Sequence, residues 1–260
     1  DRVRPRDAVH HAGGNRLIMT ISIGVAAVGP PAWPFVESLF MLAPPPGEDL
    51  RLIKAGPLAV DVARNEIVKT FLATSDRWLM FADADAVLHF GTLTRLHSWQ
   101  QPIVAALAFQ RHGPCPPVVM RGWQTERTTW RNGEEFPRGV GTQLEDVRTW
   151  LRAHPEMATS RPYILEPRTD DALIPVDATG CHCVLIERSV LEAMEPPWFV
   201  GGPEIGHQGE DFYFYWKAAR AGFQTQVDLG CMAGHLYGDR CAGALDWLVW
   251  DQVSVYEDEN

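Results

Sequence analysis

Five consecutive apolar residues, Trp78 to Ala82, run straight into Asp83-Ala84-Asp85. A run this short, apolar at every position, fits a strand buried on both faces, as in the middle of a parallel sheet. In open α/β sheets, ligands bind where strands end at their carboxyl edge. Two carboxylates one residue apart at such an edge can face a divalent cation that also bridges to phosphate oxygens. The same spacing occurs at plain solvated strand ends, so its surroundings decide the meaning. It is the sole Asp-x-Asp of the chain.

The preceding residues supply a parallel frame for that strand. Leu17 to Val28 is rich in β-branched residues and predicts a first strand ending at Gly29-Pro30-Pro31. Trp33 to Leu42 predicts a helix stopped by Pro44-Pro45-Pro46-Gly47. Leu50 to Lys54 reads as a short strand, and Val60, Ala63, Ile67, Phe71 and Leu72 recur at helical spacing over 59–73. Strand-helix-strand-helix-strand is the pattern of a mostly parallel α/β sheet flanked by helices. Thr92 to Trp99 then predicts a helix, and Ile103 to Phe109 a strand. Residues 110–142 give little pattern. Leu144, Val147 and Leu151 mark a helix, Val176 to Ile186 one continuous strand, and Arg188 to Met194 a short helix. Gly209-Glu210-Asp211 opens a helix capped by Gly222, Gln224 to Asp228 is a last strand, and Leu245, Leu248 and Val249 suggest a final helix. Without an internal repeat or low-complexity linker, the expectation is a leader over 1–16 and one domain over 17–260.

Hydrophobic content of 46% and charged content of 22% are those of an ordinary globular chain. A net charge of −10 argues against a polyanion as the main partner. The five cysteines form no disulfide framework, which points to a reducing, cytoplasmic setting. Cys181, His182, Cys183, His235 and Cys241 invite a zinc reading, but no CxxC pair supports it and buried strand cysteines are preferred. No apolar run reaches the ~18 residues needed to span a bilayer. Arg2, Arg4, Arg6 and Arg16 ahead of Leu17 to Val28 resemble a signal peptide. A core strand behind a polar leader is the preferred alternative.

Several stretches, in order, resemble the GT-A type nucleotide-sugar glycosyltransferases, in the compact form of bacterial and phage enzymes. Val62-Ala63-Arg64-Asn65 is similar to that family's Ala-Arg-Asn element, and Phe81-Ala82-Asp83-Ala84-Asp85 to its Asp-x-Asp motif. Thr179-Gly180 through Ile186, followed by Pro197-Trp198-Phe199, is similar to the acceptor-side strand and loop. Gly209-Glu210-Asp211-Phe212 resembles the Glu-Asp helix, and Gly234-His235 the late histidine of the metal site. Residues 17–109 then correspond to a nucleotide-sugar half and 110–260 to an acceptor half.

The resemblance implies a Rossmann-like fold and a transferase that uses Mn²⁺, or Mg²⁺, to move sugar from a UDP- or GDP-sugar to an acceptor hydroxyl. Asp85 and His235 would ligate the metal, with Asp83 reaching it through water or holding the ribose. Ala27, Gly29 and Arg64 would join Asp83 and Asp85 in binding the donor. Arg64 could instead brace Asp83, or be a plain helix arginine. Asp211 would be the catalytic base and Glu210 would bind the acceptor, although carboxylates in a first helical turn also suit the helix dipole. Gly180 and Trp198 would face the acceptor, with Trp198 equally readable as core. Arg111, Arg121, Arg127, Arg131 and Arg138 could form a basic groove for a nucleic-acid acceptor, which the acidic net charge does not favour. The rival readings are a sugar nucleotidyltransferase, weakened by the lack of a Gly-rich triphosphate loop, and a binding module without catalysis.

Overall fold

A computed structural model describes residues 19–129, 135–158, 164–202, 209–238 and 240–249. The leader over 1–16, Leu17, Ile18 and Arg131 lie outside the described residues.

The chain opens as β1 (Met19–Ala26), α1 (Trp33–Met41), β2 (Glu48–Ala55), α2 (Val60–Leu72) and β3 (Trp78–Ala82). It goes on through α3 (Thr92–Ser98), β4 (Ile103–Leu107), α4 (Leu144–Ala153), β5 (Leu173–Val176), β6 (Cys183–Glu187), α5 (Arg188–Glu192), α6 (Glu210–Arg220) and β7 (Thr225–Met232). A last helix occupies 244–249. The central sheet runs β5-β7-β4-β6-β3-β1-β2. β1 pairs in parallel with both β2 and β3, and β7 with β4; only β5 and β6 run the other way. The sheet is thus mixed and mostly parallel, as the strand-helix alternation requires.

β3 is buried at every position because it lies between β1 and β6 with apolar layers on both faces. Its side chains alternate between those layers. Leu79 and Phe81 pack with Ile67 and Phe71 of α2 on one side. Trp78, Met80 and Ala82 pack with Phe35 of α1 and Leu93 and Leu96 of α3 on the other. Phe71 is fully buried, and its truncation to alanine would cost roughly 3–5 kcal/mol. The open C-terminal end of α2 is closed from outside. Arg188 donates to the carbonyls of Phe71 at 3.1 Å and Thr74 at 2.7 Å, which holds α5 against α2.

One expectation needs correcting, and one stretch without pattern acquires structure. The continuous strand over Val176 to Ile186 is broken into β5, the pair Ala178–Thr179 and β6. Thr179 and Ala178 leave the main sheet to pair with Val119–Trp123, and the turn at Gly180-Cys181-His182 brings the chain back. The patternless region after β4 contains that small sheet, with Val140–Thr142 as its third strand, and a ribbon of Arg127–Thr129 against Glu135–Pro137. β2 ends the main sheet. Leu50 and Leu52 on it are exposed beside a groove of about 350 Å³ floored by Ile23 and Val25 and walled by Leu39 and Phe40 of α1.

Candidate functional site

Three segments meet at the carboxyl edge of β3, and strand pairing explains why. β6 runs antiparallel to β3 with Cys183 opposite Ala82, so His182 falls opposite Asp83, whose N–H donates to the His182 carbonyl at 3.0 Å. After the Asp83–Asp85 turn, Ala86–Val87 pairs with Gly234–Tyr237, His235 opposite Ala86. The Leu236 N–H donates to the Asp85 carbonyl at 2.9 Å, locking His235 beside Asp85. From β1, the Ala32 N–H donates to the Ala84 carbonyl at 3.1 Å and ties the loop after that strand to the same turn.

The two imidazoles are oriented by backbone carbonyls. His182 Nε2 lies 2.8 Å from the Gly234 carbonyl, and His235 Nδ1 lies 2.9 Å from that of Phe109. A carbonyl can only accept, so both nitrogens carry their protons there. In the neutral rings this leaves His182 Nδ1 and His235 Nε2 with lone pairs directed at the aspartates. His235 Nε2 is 3.4 Å from Asp85 Oδ2, and His182 Nδ1 is 3.7 Å from Asp83 Oδ2 and 4.0 Å from Asp85 Oδ1. The rings stand 4.3 Å apart. Among the described residues, Asp85, His182 and His235 offer ligand atoms within 4.8 Å of one another. His182 Nδ1 is buried and has no hydrogen-bond partner. A proton or a cation would satisfy it. Burial alone would lower the His182 pKa, but the Asp83 and Asp85 carboxylates and the Gly234 carbonyl outweigh it and raise it. Burial would likewise raise Asp85, and the two histidines reverse that.

Beside this group, Arg64 is 3% exposed and bridges two carboxylates. Its Nη2 donates to Asp83 Oδ1 at 2.8 Å, and its Nη1 pairs with Glu210. Burial would lift Asp83, but Arg64 and His182 hold its carboxyl well below the usual range. Asp211 follows Glu210 in the first turn of α6 and accepts from the Phe212 N–H at 3.0 Å. Burial first, then the negative charge of Glu210, lifts its pKa to about 7 in spite of Arg64. Gly180 borders Asp211 closely: a methyl group there would stand 3.8 Å from Asp211 Oδ2. The site thus brings together three side chains that could hold a cation and a carboxyl whose pKa is raised toward neutrality.

The other expected site residues divide. Arg64 braces Asp83, bridging it to Glu210 rather than gripping it with both arms. Asp83 lies outside the closest ligand group, where His182 takes its place; its Oδ1 is held by Arg64 and its Oδ2 faces His182. Ala27 is buried with its N–H on the Ala55 carbonyl, while Gly29 is exposed, with open space where a side chain would stand. Trp198 is a correction: it is 5% exposed and its indole donates to the Leu191 carbonyl at 2.9 Å, so it has no face to offer an acceptor. Phe199 is core, stacked on Phe214. Of the four arginines of that set among the described residues, Arg111 is turned onto Asp85, Arg138 reaches Glu126, and Arg127 bonds the Gln124 carbonyl, so these three face separate partners. Cys181 and Cys183 are buried, and burial pushes the Cys183 thiol up to about 12. Neither belongs to the ligand group.

No family model matches the chain, and no curated protein does. Among solved structures it is similar to the crystal structure of A197 from STIV, at 15% identity and a TM-score of 0.51, over 84% of this chain and 86% of that one. In all, 142 solved chains match. Likeness at that identity shows the α/β fold, and the chemistry has to come from the site. No helix among the described residues is long and apolar enough to cross a membrane.

His182 is the residue that motif reading misses. It lies between two cysteines that draw attention to zinc, and its relation to Asp85 exists only once β6 is paired with β3. A lone histidine one residue before an antiparallel neighbour of the Asp-x-Asp strand would have been the signal.

Proposed function

We propose that this chain is a metal-dependent glycosyltransferase of GT-A type that moves a sugar from a nucleoside-diphosphate sugar to an acceptor hydroxyl. The observation that carries the reading is the meeting, at one sheet edge, of the Asp85–His182–His235 group and a carboxyl, Asp211, with a pKa near 7. One carboxylate and two inward-facing imidazoles suit Mn²⁺ better than Mg²⁺, which prefers oxygen ligands. When bound, the cation would supply Lewis-acid neutralisation of the departing diphosphate.

The chain's own residues have the remaining roles. Asp211 in its ionised form takes the proton of the acceptor hydroxyl as that oxygen bonds to the anomeric carbon. The bond from that carbon to the diphosphate breaks, and the diphosphate leaves with the electron pair. A base with a pKa near the working pH serves this step well, and its presence favours an inverting course. Arg64 holds Asp83 and Glu210 in place, Asp83 toward the donor and Glu210 toward the acceptor. Ala27 and Gly29 belong to the loop on the donor side, and Gly180, bordering Asp211, lies on the acceptor side.

The test is a thermal-shift series with UDP, GDP, CDP and ADP, each with Mn²⁺ and with EDTA. A ligand at 100 times its Kd that binds only the folded state adds about 2.7 kcal/mol of stability. One diphosphate should shift Tm with Mn²⁺ and not with EDTA, and Asp85→Ala should abolish that shift. Flat melting curves with all four nucleotides in Mn²⁺ would refute the reading.

A further inference from the structure

The proposed cation site already contains a positive charge. Arg111 Nη1 lies 2.9 Å from Asp85 Oδ2, the same oxygen that faces His235 Nε2 at 3.4 Å. Its position is set by the backbone. Residues 110–116 form a tight loop just beyond β4, closed by Gln110 N–H on the Pro116 carbonyl at 2.9 Å and Val118 N–H on the Ala108 carbonyl at 2.9 Å. His112 meets the Tyr237 ring edge-on at 4.9 Å, which fastens the loop to the segment carrying His235. The Arg111 side chain is still half exposed, at 49%, and can swing without disturbing the core. Next to it opens a recess of about 140 Å³ lined by Arg111, Gly113, Tyr237 and Arg240.

We propose that Arg111 is a tethered counter-ion. It holds Asp85 Oδ2 until a divalent cation takes that oxygen, and is then handed to the diphosphate of the donor. This rests on the glycosyltransferase reading of the site. A dication on Asp85 Oδ2 would repel a guanidinium held on the same oxygen and weaken its hold, because the two like charges would stand at short range. In this proposal the cation alone releases Arg111 and gives it no new partner. Cation plus diphosphate supplies the displaced arginine with a bidentate anionic partner, the geometry guanidinium favours. Cation and diphosphate are then bound with positive coupling, each tighter in the presence of the other.

The experiment compares wild type with Arg111→Gln by titration calorimetry, first with Mn²⁺ alone and then with inorganic pyrophosphate at saturating Mn²⁺. Asp85→Ala serves as the site control, and melting curves verify folding. Arg111→Gln should bind Mn²⁺ alone about fivefold tighter, the scale of an exposed ion pair released. It should bind pyrophosphate with Mn²⁺ about tenfold weaker, for loss of a charge-assisted pair. Unchanged or weaker binding of Mn²⁺ alone overturns the counter-ion role. Tighter Mn²⁺ with unchanged pyrophosphate overturns the hand-over. If wild type binds Mn²⁺ no better than Asp85→Ala does, the metal site itself is wrong and this inference falls with it. If wild type binds Mn²⁺ through Asp85 and only the Arg111 effects are missing, the function stands without the inference.

Discussion

Two buried arginines, one on each side of β3, hold carboxylates in opposite ways. Arg95 on α3 donates through Nε and Nη2 to Asp228 at 2.6 and 3.0 Å, and through Nη1 to the Glu166 carbonyl at 2.8 Å. Asp228 also accepts from the Trp99 indole at 2.6 Å and the Gly230 N–H at 3.0 Å, and is fully buried. Charge is matched one to one, and both carboxylate oxygens are used twice. Arg64 on α2 faces Asp83 and Glu210, with Asp211 following, and its Nε is buried without a partner. The first cluster is complete and can only hold. The second has more negative charge than one arginine can balance, along with an orphaned imidazole nitrogen. Incompleteness of this kind costs stability, and under the proposed function the cation and donor would complete it.

The contrast is sharpest in the effect of removing a carboxylate from each. Asp211→Asn should lower kcat by about 10²–10⁴-fold, the usual contribution of a general base, with the fold intact. A fall of less than tenfold in a transfer assay would remove Asp211 from the chemistry. Asp228→Asn should leave an uncompensated buried guanidinium and cost roughly 3–5 kcal/mol in urea unfolding. A loss below 1 kcal/mol would show that the two clusters are less different than their geometry.

A third test concerns Asn65, the neighbour of Arg64 on α2. It donates to the carbonyls of Asp61 and Phe199 and accepts from the N–H groups of Trp198 and Phe199. Asn65→Ala strands those backbone groups and should cost about 1–3 kcal/mol. Its effect belongs in Tm and not in cation affinity, since it holds the loop beside the site.

A fourth expected effect is in pH dependence. The folded-state pKa of Asp211, raised to about 7, compares with roughly 3.9 for an unfolded aspartate. The folded chain therefore keeps a proton that the unfolded chain has released. The stability this provides is present below pH 4 and is lost as pH rises through 7. Asp211→Asn lacks that loss, so its Tm should gain on wild type between pH 5 and pH 8. Over the same interval wild-type kcat/KM should rise as Asp211 ionises. A constant Tm difference would mean that the carboxyl titrates normally.

What could be read from the chain was what local spacing encodes. The all-apolar run of β3, the helical recurrence of Ala63, Ile67 and Phe71, and Gly222 after α6 all act within one element. The Asp-x-Asp turn was legible because a strand end and its acidic residues are contiguous. His182 was not, since its place depends on an antiparallel register between residues a hundred positions apart. Trp198 was ambiguous for a related reason: only the packing of α5 shows its indole turned inward to the Leu191 carbonyl. The break at Gly180 reflects a change of partner sheet, which neither alternation nor composition records. Arg111 stood in a run of arginines whose partners lie on different segments.

The uncovered edge of β2 bears on how this chain behaves in a crowded solution. An eight-residue strand without proline, its outer rim unpaired among the described residues, is a template on which another extended chain can grow. Its sequence alternates the danger with a remedy: Leu50 and Leu52 are flanked by Glu48, Asp49, Arg51 and Lys54. These charges serve as gatekeepers, making each added strand bring ionic groups into contact. Their protection weakens near the sequence pI of about 5.3, where the molecule as a whole ceases to repel its copies. Association of copies through this edge is therefore expected to be easiest near that pH.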